Sequence, residues 1–180
     1  MKKIILLLLV PVINGCVETE PTYKLFNNTK KQYTSDEACL KHILENQVFG
    51  LAPTPVLQGI TEGYIFGFDV ENNISRKNFI QHDITLEAQE SKAKEKLLVL
   101  FNIKDDMKFD AVLGNPPYQN SKNGGKDLPI YQYFYDTAES ISDKYCLISP
   151  ARFLFDAGAT NSEWNKKMLN SEKLKVIKFI

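Results

Sequence analysis

The sequence has little with which to bind a metal ion or to form a disulfide framework. It contains three cysteines and two histidines in 180 residues. The cysteines, Cys16, Cys39 and Cys146, lie far apart, and no pair of cysteines or histidines has the spacing of metal ligands. An odd number of widely separated cysteines also argues against a set of disulfides. The sequence therefore predicts no metal site.

The chain also lacks an excess of charge of either sign. Its 22 basic and 22 acidic side chains give a formal net charge of +0. No overall positive field therefore attracts it to nucleic acid, so DNA binding would depend on local basic patches or on another polypeptide. The charged fraction of 24% and the apolar fraction of 43% are those of an ordinary globular protein.

Apolar residues are concentrated near the start of the chain, where two lysines precede the run Ile4 to Val10. This run is too short to span a bilayer stably, but it suits the apolar part of a signal peptide. Ile13-Asn14-Gly15-Cys16 resembles the lipobox of bacterial lipoproteins. Residues 1–21 are therefore predicted to be a leader-like segment, which would anchor the chain to a membrane through Cys16. A buried central strand of a parallel sheet would also suit the run, and that second interpretation stays open.

The remaining residues, 22–180, alternate between short apolar runs and amphipathic segments. Strands are predicted at Phe49 to Leu51, Phe79 to Ile80, Phe109 to Leu113, Tyr145 to Ile148 and Leu174 to Ile180. Helices are predicted after the capping box Thr34-Ser35-Asp36-Glu37, after Thr54-Pro55, and over Thr85 to Leu100, Tyr131 to Ile141 and Ser162 to Leu169. This alternation predicts an α/β fold with a doubly wound, mostly parallel sheet. Ligands in such folds bind at the carboxyl ends of the strands.

One such strand end carries the segment Gly114-Asn115-Pro116-Pro117-Tyr118. Two adjacent prolines between an asparagine and an aromatic residue occur by chance in on the order of one such chain per thousand. A rigid proline turn that merely ends a strand would be the simplest explanation of the segment. Its place directly after an apolar strand favours a functional role instead.

The residue types of this segment suit the activation of an amine whose lone pair is delocalised into a planar ring. The side-chain carbonyl of Asn115 and the main-chain carbonyl of Pro116 can accept the two N–H groups and draw the nitrogen toward a pyramidal form. Proline fixes φ near about −65° and so holds both carbonyls in place. Tyr118 offers a face on which a flipped-out base can stack, worth about 1–3 kcal/mol. Flipping is required because the amine is inaccessible within a duplex.

With these residues the chain resembles the N6-adenine-specific DNA methyltransferases. The stretch from about His42 to Ile180 resembles the methylase part of type IIG restriction–modification enzymes. The resemblance implies a Rossmann-like methyltransferase fold, S-adenosylmethionine as the methyl donor and DNA as the substrate. It also implies a restriction or target-recognition subunit or domain as a partner. The residues that it implies to be catalytic are Asn115, Pro116, Pro117 and Tyr118.

The resemblance extends to the cofactor site. Asn78-Phe79-Ile80-Gln81-His82-Asp83 is similar to the family's strand that ends in an acidic residue near the adenine of the cofactor. Asp83 and Gly114 are therefore implied to bind S-adenosylmethionine, and capping of the next helix is an alternative role for Asp83. The neighbouring His82 is predicted to be a surface or capping histidine.

The sequence departs from the family in three places. Val17 to Lys31 contains no glycine, although the family has a glycine-rich cofactor loop there. Ala52-Pro53 stands where the family has a carboxylate for the cofactor ribose. The chain stops at Ile180, before the family's further strands and recognition domain. We therefore expect residues 22–180 to be a partial catalytic domain with an incomplete sheet, and the protein to be a truncated or inactive fragment. We expect it in the cytoplasm, where S-adenosylmethionine and DNA are present.

Two other functions stay open. Enzymes that methylate glutamine side chains or bases of RNA share the same four-residue motif. The lipobox-like segment would suit a lipid-anchored envelope protein without catalysis. The predicted long charged helix before the motif, Thr85 to Leu100, and the loop Gln119 to Gly125 after it favour the enzymes that modify DNA.

Overall fold

The computed structural model describes residues 4–7, 32–33, 35–67, 73–104, 108–120, 128–155 and 159–174. These residues form an α/β fold built around a five-stranded parallel sheet. Its strands are β1 (Ile4–Leu7), β2 (Val48–Ala52), β3 (Phe79–Gln81), β4 (Ala111–Gly114) and β7 (Tyr145–Leu147). Two short strands form an antiparallel hairpin, β5 (Gln119–Asn120) and β6 (Leu128–Pro129).

In the described part of the chain, five α-helices lie between these strands in sequence, and a 3₁₀ helix and a sixth α-helix follow β7. They are α1 (Asp36–Asn46), α2 (Pro55–Phe66), α3 (Thr85–Gln89), α4 (Ala93–Leu100), α5 (Tyr131–Ile141) and α6 (Ser162–Leu169), with a 3₁₀ helix at Ala151–Phe155. The predicted bounds of α5 and α6 are confirmed, and so are the predicted strands at β2, β3, β4 and β7, within a residue or two at each end. The predicted last strand, Leu174 to Ile180, lies outside the described residues apart from Leu174.

The strands of the large sheet follow the order β3-β2-β1-β4-β7. Strand β1 is central, since Leu7 pairs with Leu51 of β2 on one side and with Gly114 of β4 on the other. Part of the apolar run at the start of the chain is thus a central strand, as in the second interpretation of that run. The lipobox-like residues 13–16 lie outside the described part of the chain. Because all five strands run in one direction, their carboxyl ends meet at one edge of the sheet.

Two apolar clusters cover the two faces of the sheet. Neighbouring residues of β2 and of β4 fall in different clusters, and side chains alternate between the faces of a strand. One cluster joins the sheet to α1 and the end of α2 and contains Cys39, Ile43, Leu44, Val48, Phe66, Phe79 and Ala111. The other joins it to α3, α4 and α5 and includes Phe49, Leu51, Ile84, Leu97, Val112, Phe134 and Ile141.

The segment predicted as one long helix, Thr85 to Leu100, is two helices. Helix α3 ends because Ser91 adopts a φ of 58°, in the left-handed region. The N–H of Ser91 then donates to the carbonyl of Ala88 (3.1 Å), and the N–H of Lys92 donates to the carbonyl of Glu87 (2.7 Å). This is the Schellman pattern of a helix end, which usually has glycine at this position. Serine carries no such signal, so the sequence did not predict the break.

Helices α1 and α2 begin at side-chain caps. The hydroxyl of Ser35 accepts the N–H of Ala38 at 3.1 Å, so α1 starts one residue later than the predicted capping box implies. The predicted cap Thr54 is confirmed, since its hydroxyl accepts the N–H of Leu57 at 3.3 Å and Pro55 follows in the first turn. Among the residues described, none of the helices has the length and apolar content that a membrane span requires.

Candidate active site

The Asn-Pro-Pro-Tyr segment begins where β4 ends. The last residue of the strand, Gly114, pairs with Leu7 of β1 and Leu147 of β7, and its carbonyl accepts the N–H of Ile148 at 2.9 Å. The backbone that leads into Asn115 is therefore fixed by a strand on each side. The sheet order changes direction between β1 and β4, and ligands of open α/β sheets bind at such a point.

The chain after the segment is fixed as well. Pro116 is buried, whereas the side chain of Tyr118 is 41% exposed. The carbonyl of Tyr118 accepts the N–H of Ile130 at 3.1 Å, directly before helix α5. The hairpin β5–β6 starts at the next residue and replaces the beginning of the loop predicted for Gln119 to Gly125. Residues 121–125 of that loop lie outside the described part. The segment thus presents an exposed aromatic ring on a backbone that is held at both ends.

Within the segment, two of the four residues predicted to be catalytic are in contact through their side chains. The hydroxyl of Tyr118 donates a hydrogen bond to Oδ1 of Asn115 at 3.0 Å. This bond turns the carbonyl end of the Asn115 carboxamide toward the tyrosine. An amide oxygen has two lone pairs, so Oδ1 can accept a second N–H while the bond persists. The arrangement leaves an acceptor beside an exposed aromatic ring.

The predicted cofactor residue Asp83 lies on the same edge of the sheet, two residues beyond β3. It is exposed, and its Oδ1 accepts the N–H of Thr85, the first residue of α3, at 3.0 Å. Strands β3 and β4 are three strand spacings apart, about 14 Å. Asp83 and Asn115 are therefore not neighbours, and a ligand that reached both would have to extend across β2 and β1.

The residues at this edge fit one part of S-adenosylmethionine and not another. With one oxygen bonded to Thr85, Asp83 keeps a second carboxylate oxygen that can accept an adenine amine. At the end of β2, the carbonyl of Ala52 accepts the backbone N–H of His82 (2.8 Å). The carbonyl of Pro53 accepts a hydrogen bond from the side-chain amide Nε2 of Gln81 (3.0 Å). Neither residue has a carboxylate. The described edge therefore fits the adenine of the cofactor and does not fit its ribose at β2.

Two polar pairs near this edge were not predicted from the sequence. His82 is half-buried and bonds to Glu87, five residues further on, at 2.8 Å. The hydroxyl of the buried Tyr135 lies 2.9 Å from that of Ser149, two residues beyond β7, and burial raises the pKa of Tyr135. Neither spacing belongs to a known helical or strand pattern, so neither pair could be predicted from the residue types. In the described ranges, no three His, Cys, Asp or Glu side chains are grouped so as to hold a metal ion.

Parts of this chain are similar to known proteins. The family model described as Eco57I restriction-modification methylase matches residues 46–180. A Mycoplasma pneumoniae (strain ATCC 29342 / M129 / Subtype 1) protein described as an uncharacterized adenine-specific methylase is 34% identical over 76 residues. That match covers 39% of this chain and 18% of the relative, so the chain corresponds to a small part of the relative's length.

A solved structure also resembles the chain. It is described as a type I restriction enzyme modification subunit from Vibrio vulnificus YJ016, and the match has a TM-score of 0.47 at 13% identity. The match covers 93% of this chain and 34% of the other. The family model spans most of the chain, including the Asn-Pro-Pro-Tyr segment and four of the five strands of the large sheet. The chain belongs to the Eco57I restriction-modification methylase family.

Proposed function

We propose that this chain is the adenine-binding part of a site-specific DNA methyltransferase that transfers a methyl group from S-adenosylmethionine to N6 of a flipped-out adenine. The observation that carries the proposal is the placement of Asn115, Pro116, Pro117 and Tyr118 at the carboxyl end of β4, in a chain of the Eco57I family. The hydrogen bond from Tyr118 to Asn115 supports it, because it joins the acceptor to the stacking surface.

The strand order supports a finer description of the fold. The sequence β3-β2-β1-β4, with one further parallel strand beside β4, corresponds to the order of doubly wound dinucleotide-binding sheets. We infer a Rossmann-like methyltransferase sheet of which these strands are a part. Its ligand crevice would lie between β1 and β4, where the Asn-Pro-Pro-Tyr segment begins.

In the proposed reaction the residues of this chain act on the target amine. The side-chain carbonyl of Asn115 and the main-chain carbonyl of Pro116 accept its two N–H groups, so the lone pair is directed away from the ring. Tyr118 stacks on the extruded base and holds it outside the duplex. When bound, S-adenosylmethionine would supply the methyl group as an electrophile and leave as S-adenosylhomocysteine, while the proton that the amine loses would pass to water. No side chain of the protein needs to act as a nucleophile.

Two residues would hold the cofactor. Asp83 would accept a hydrogen bond from the adenine amine of S-adenosylmethionine through its second carboxylate oxygen. Gly114 would let the cofactor approach β4 closely, since it has no side chain. Neither Ala52 nor Pro53, at the end of β2, offers the ribose a carboxylate. Contacts to the ribose would therefore have to come from other parts of the protein.

The proposed partners are DNA and a restriction or target-recognition subunit or domain. The formal net charge of +0 agrees with a need for a second subunit or domain, because without an overall positive field DNA binding would depend on local basic patches or on another polypeptide. The similar Mycoplasma protein is described as adenine-specific and is several times longer than the region it shares with this chain. Because S-adenosylmethionine and DNA meet in the cytoplasm, we propose that the protein works there.

The test is methyl transfer by the chain joined to the upstream cofactor-binding segment of a related family member. With labelled S-adenosylmethionine and duplex DNA, N6-methyladenine should appear and should depend on Asn115. Losing one electrostatic contact to the reacting group costs about 2.7–4 kcal/mol, so Asn115→Ala should reduce the rate roughly a hundred- to a thousandfold. Equal rates for the two proteins would refute the assignment. In parallel reactions that contain RNA or a glutamine-containing protein in place of DNA, label transferred to either of these would favour the related N-methyltransferases instead.

A further inference from the structure

A hydrogen-bonded pair of side chains lies beside Asp83 and has no part in the proposed chemistry. Nε2 of His82 is 2.8 Å from Oε1 of Glu87, and the two side chains are only 26% and 22% exposed. Because a carboxylate oxygen can only accept, the imidazole donates from Nε2. Lys96 of α4 approaches the same carboxylate at 4.0 Å. The pair connects the end of β3 to helix α3.

The carboxylate of Glu87 is held in its charged form. Partial burial raises the pKa of Glu87, whereas a hydrogen bond from its own backbone N–H and the bond from His82 lower it. The nearby charges of His82 and Lys96 act in the same direction, and the pKa of Glu87 is lowered. Glu87 is therefore an acceptor at neutral pH, and His82 can donate to it whether the imidazole is neutral or protonated.

His82 is also fixed by the sheet. Its backbone N–H donates to the carbonyl of Ala52 at 2.8 Å, which extends the pairing of β2 and β3 beyond the last residue of β3. Asp83 follows at once, and its Oδ1 accepts the N–H of Thr85. Asp83 thus lies in a short connection between β3 and α3. The hydrogen bond from His82 to Glu87 joins the two ends of this connection, since His82 directly follows β3 and Glu87 lies in α3.

Helix α3 has few bonds of its own to fix its first turn. It contains five residues, and Ile84 at its N-cap position offers no side-chain hydrogen bond. So short a helix is not stable by itself, and the first N–H groups of any helix need partners outside it. Burial of Ile84 and Ala88 anchors the helix to the core. The position of the turn at Asp83 depends in addition on polar contacts such as that between His82 and Glu87.

We propose that His82 is a positioning residue that acts through Glu87 to hold the Asp83 carboxylate where the exocyclic amine of an adenine ring can donate to it. The inference rests on the proposed function, because it takes Asp83 as the acceptor for the adenine of the cofactor. His82 acts on the ligand through Asp83 and provides no contact of its own. Gln81, the residue before His82, adds a second link between the ends of β3 and β2, because its side chain donates to the carbonyl of Pro53.

The first test needs no ligand. Hydrogen exchange of the Thr85 amide, which Asp83 protects, is measured by NMR in the full chain. His82→Leu should speed this exchange by about tenfold or more, because a bond to a charged group is lost. His82→Gln, which keeps a donor at a similar reach, should restore slow exchange. Asp143→Asn removes the Lys108–Asp143 pair, which has the same 2.8 Å distance but lies at the amino ends of the strands, and should leave Thr85 unchanged.

Two results would overturn the proposal at this stage. One is a Thr85 amide that exchanges as slowly in His82→Leu as in the unaltered chain. The other is faster exchange of amides throughout the protein, since that would show a general loss of stability rather than a local role.

The second test uses S-adenosylhomocysteine as the probe, with ligand-detected NMR so that weak binding is measurable. His82→Leu and Asp83→Asn should each weaken binding about tenfold, and the double variant should bind no more weakly than Asp83→Asn alone. Losses that add would overturn the proposal, because His82 would then act independently of Asp83. Suppose instead that the unaltered chain shows no binding while Thr85 still depends on His82. The role of Asp83 in the proposed function would then be wrong, and the positioning of Asp83 by His82 would stand.

Discussion

At the scale of single residues, the contact between Tyr118 and Asn115 gives the tyrosine two separable properties. Its ring is exposed and can stack on a base, and its hydroxyl bonds to the carbonyl that would accept the target amine. Phenylalanine keeps the first property and removes the second, whereas alanine removes both. The two substitutions therefore distinguish stacking from orientation of the Asn115 side chain.

We predict that Tyr118→Phe reduces methyl transfer only mildly and that Tyr118→Ala is much more damaging. Loss of stacking should cost about 1–3 kcal/mol in binding of the flipped base. The measurements are the methylation rate, and the fluorescence of 2-aminopurine placed at the target position, which is quenched on stacking. A phenylalanine variant as inactive as the alanine variant would show that the hydroxyl, and not the ring, is essential.

The sequence predicted the location of the Asn-Pro-Pro-Tyr residues but not the side-chain pairs around them. Asn115 and Tyr118 could be assigned because their types and order are rare and follow an apolar strand. The hydrogen bond between them depends on how the proline turn brings positions 115 and 118 together, and residue types alone do not predict that geometry. His82 was expected at the surface or as a cap, whereas it is half-buried against Glu87. Its partner Glu87 lies in α3, and the turn at Asp83 brings the two side chains within hydrogen-bond distance.

At the scale of elements, β2 and α2 contain glycines in opposite surroundings. A Cβ added to Gly50 in β2 would lie 2.4 Å from Cδ1 of Phe79, a buried ring that also packs edge-on against Phe66. A Cβ added to Gly59 in α2 would meet no heavy atom within 4 Å. The same substitution should therefore have opposite effects at the two positions.

We predict that Gly50→Ala lowers the free energy of unfolding by about 1–3 kcal/mol, because the ring of Phe79 must move within a packed core. Gly59→Ala should raise it by up to about 1 kcal/mol, since alanine is the better residue inside a helix. Urea unfolding of the two variants gives both values. Destabilisation at both positions would contradict the packing described for Phe79.

The elements were predicted well where their ends carry sequence signals. Helix α5 and helix α6 have the predicted bounds, since their apolar periodicity starts and stops sharply. The break between α3 and α4 was missed because Ser91 adopts a backbone conformation that normally indicates glycine. The hairpin β5–β6 was missed because each strand has only two residues, too few for a periodic pattern.

At the scale of the whole molecule, a third apolar cluster contains Tyr131, Tyr135, Phe153, Trp164 and Met168, and Tyr145 packs against it. Its three tyrosines have raised pKa values. Burial raises the pKa of Tyr131, Tyr135 and Tyr145 above the ordinary value of 10.0. The folded protein therefore keeps these protons at a pH where the unfolded chain loses them. The resulting stability is complete below about pH 10 and is lost as the pH rises through the folded pKa values.

We predict a steep fall of the free energy of unfolding above about pH 10, measured by urea unfolding at a series of pH values. Tyr135→Phe should make the fall less steep, although it also removes the bond to Ser149 and so costs about 1 kcal/mol at neutral pH. Tyr64→Phe, at an exposed position, is the matched control and should leave the slope unchanged. Identical slopes for all three proteins would show that Tyr135 does not contribute.

The sheet itself depends on β1, which lies between β2 and β4 and is paired with both. We predict that a chain beginning at Thr22 is insoluble or unfolds without cooperativity, because β2 and β4 would each expose an unpaired apolar edge. Leu6→Pro in the full chain is a milder test, since proline lacks the backbone N–H and removes one hydrogen bond of a central strand. It should lower the free energy of unfolding without changing the chain's length. The measurements are soluble yield and the steepness of urea unfolding. If Ile4 to Val10 acts as a removable leader instead, the shortened chain should be more soluble and should unfold cooperatively. That result would contradict a structural role for β1.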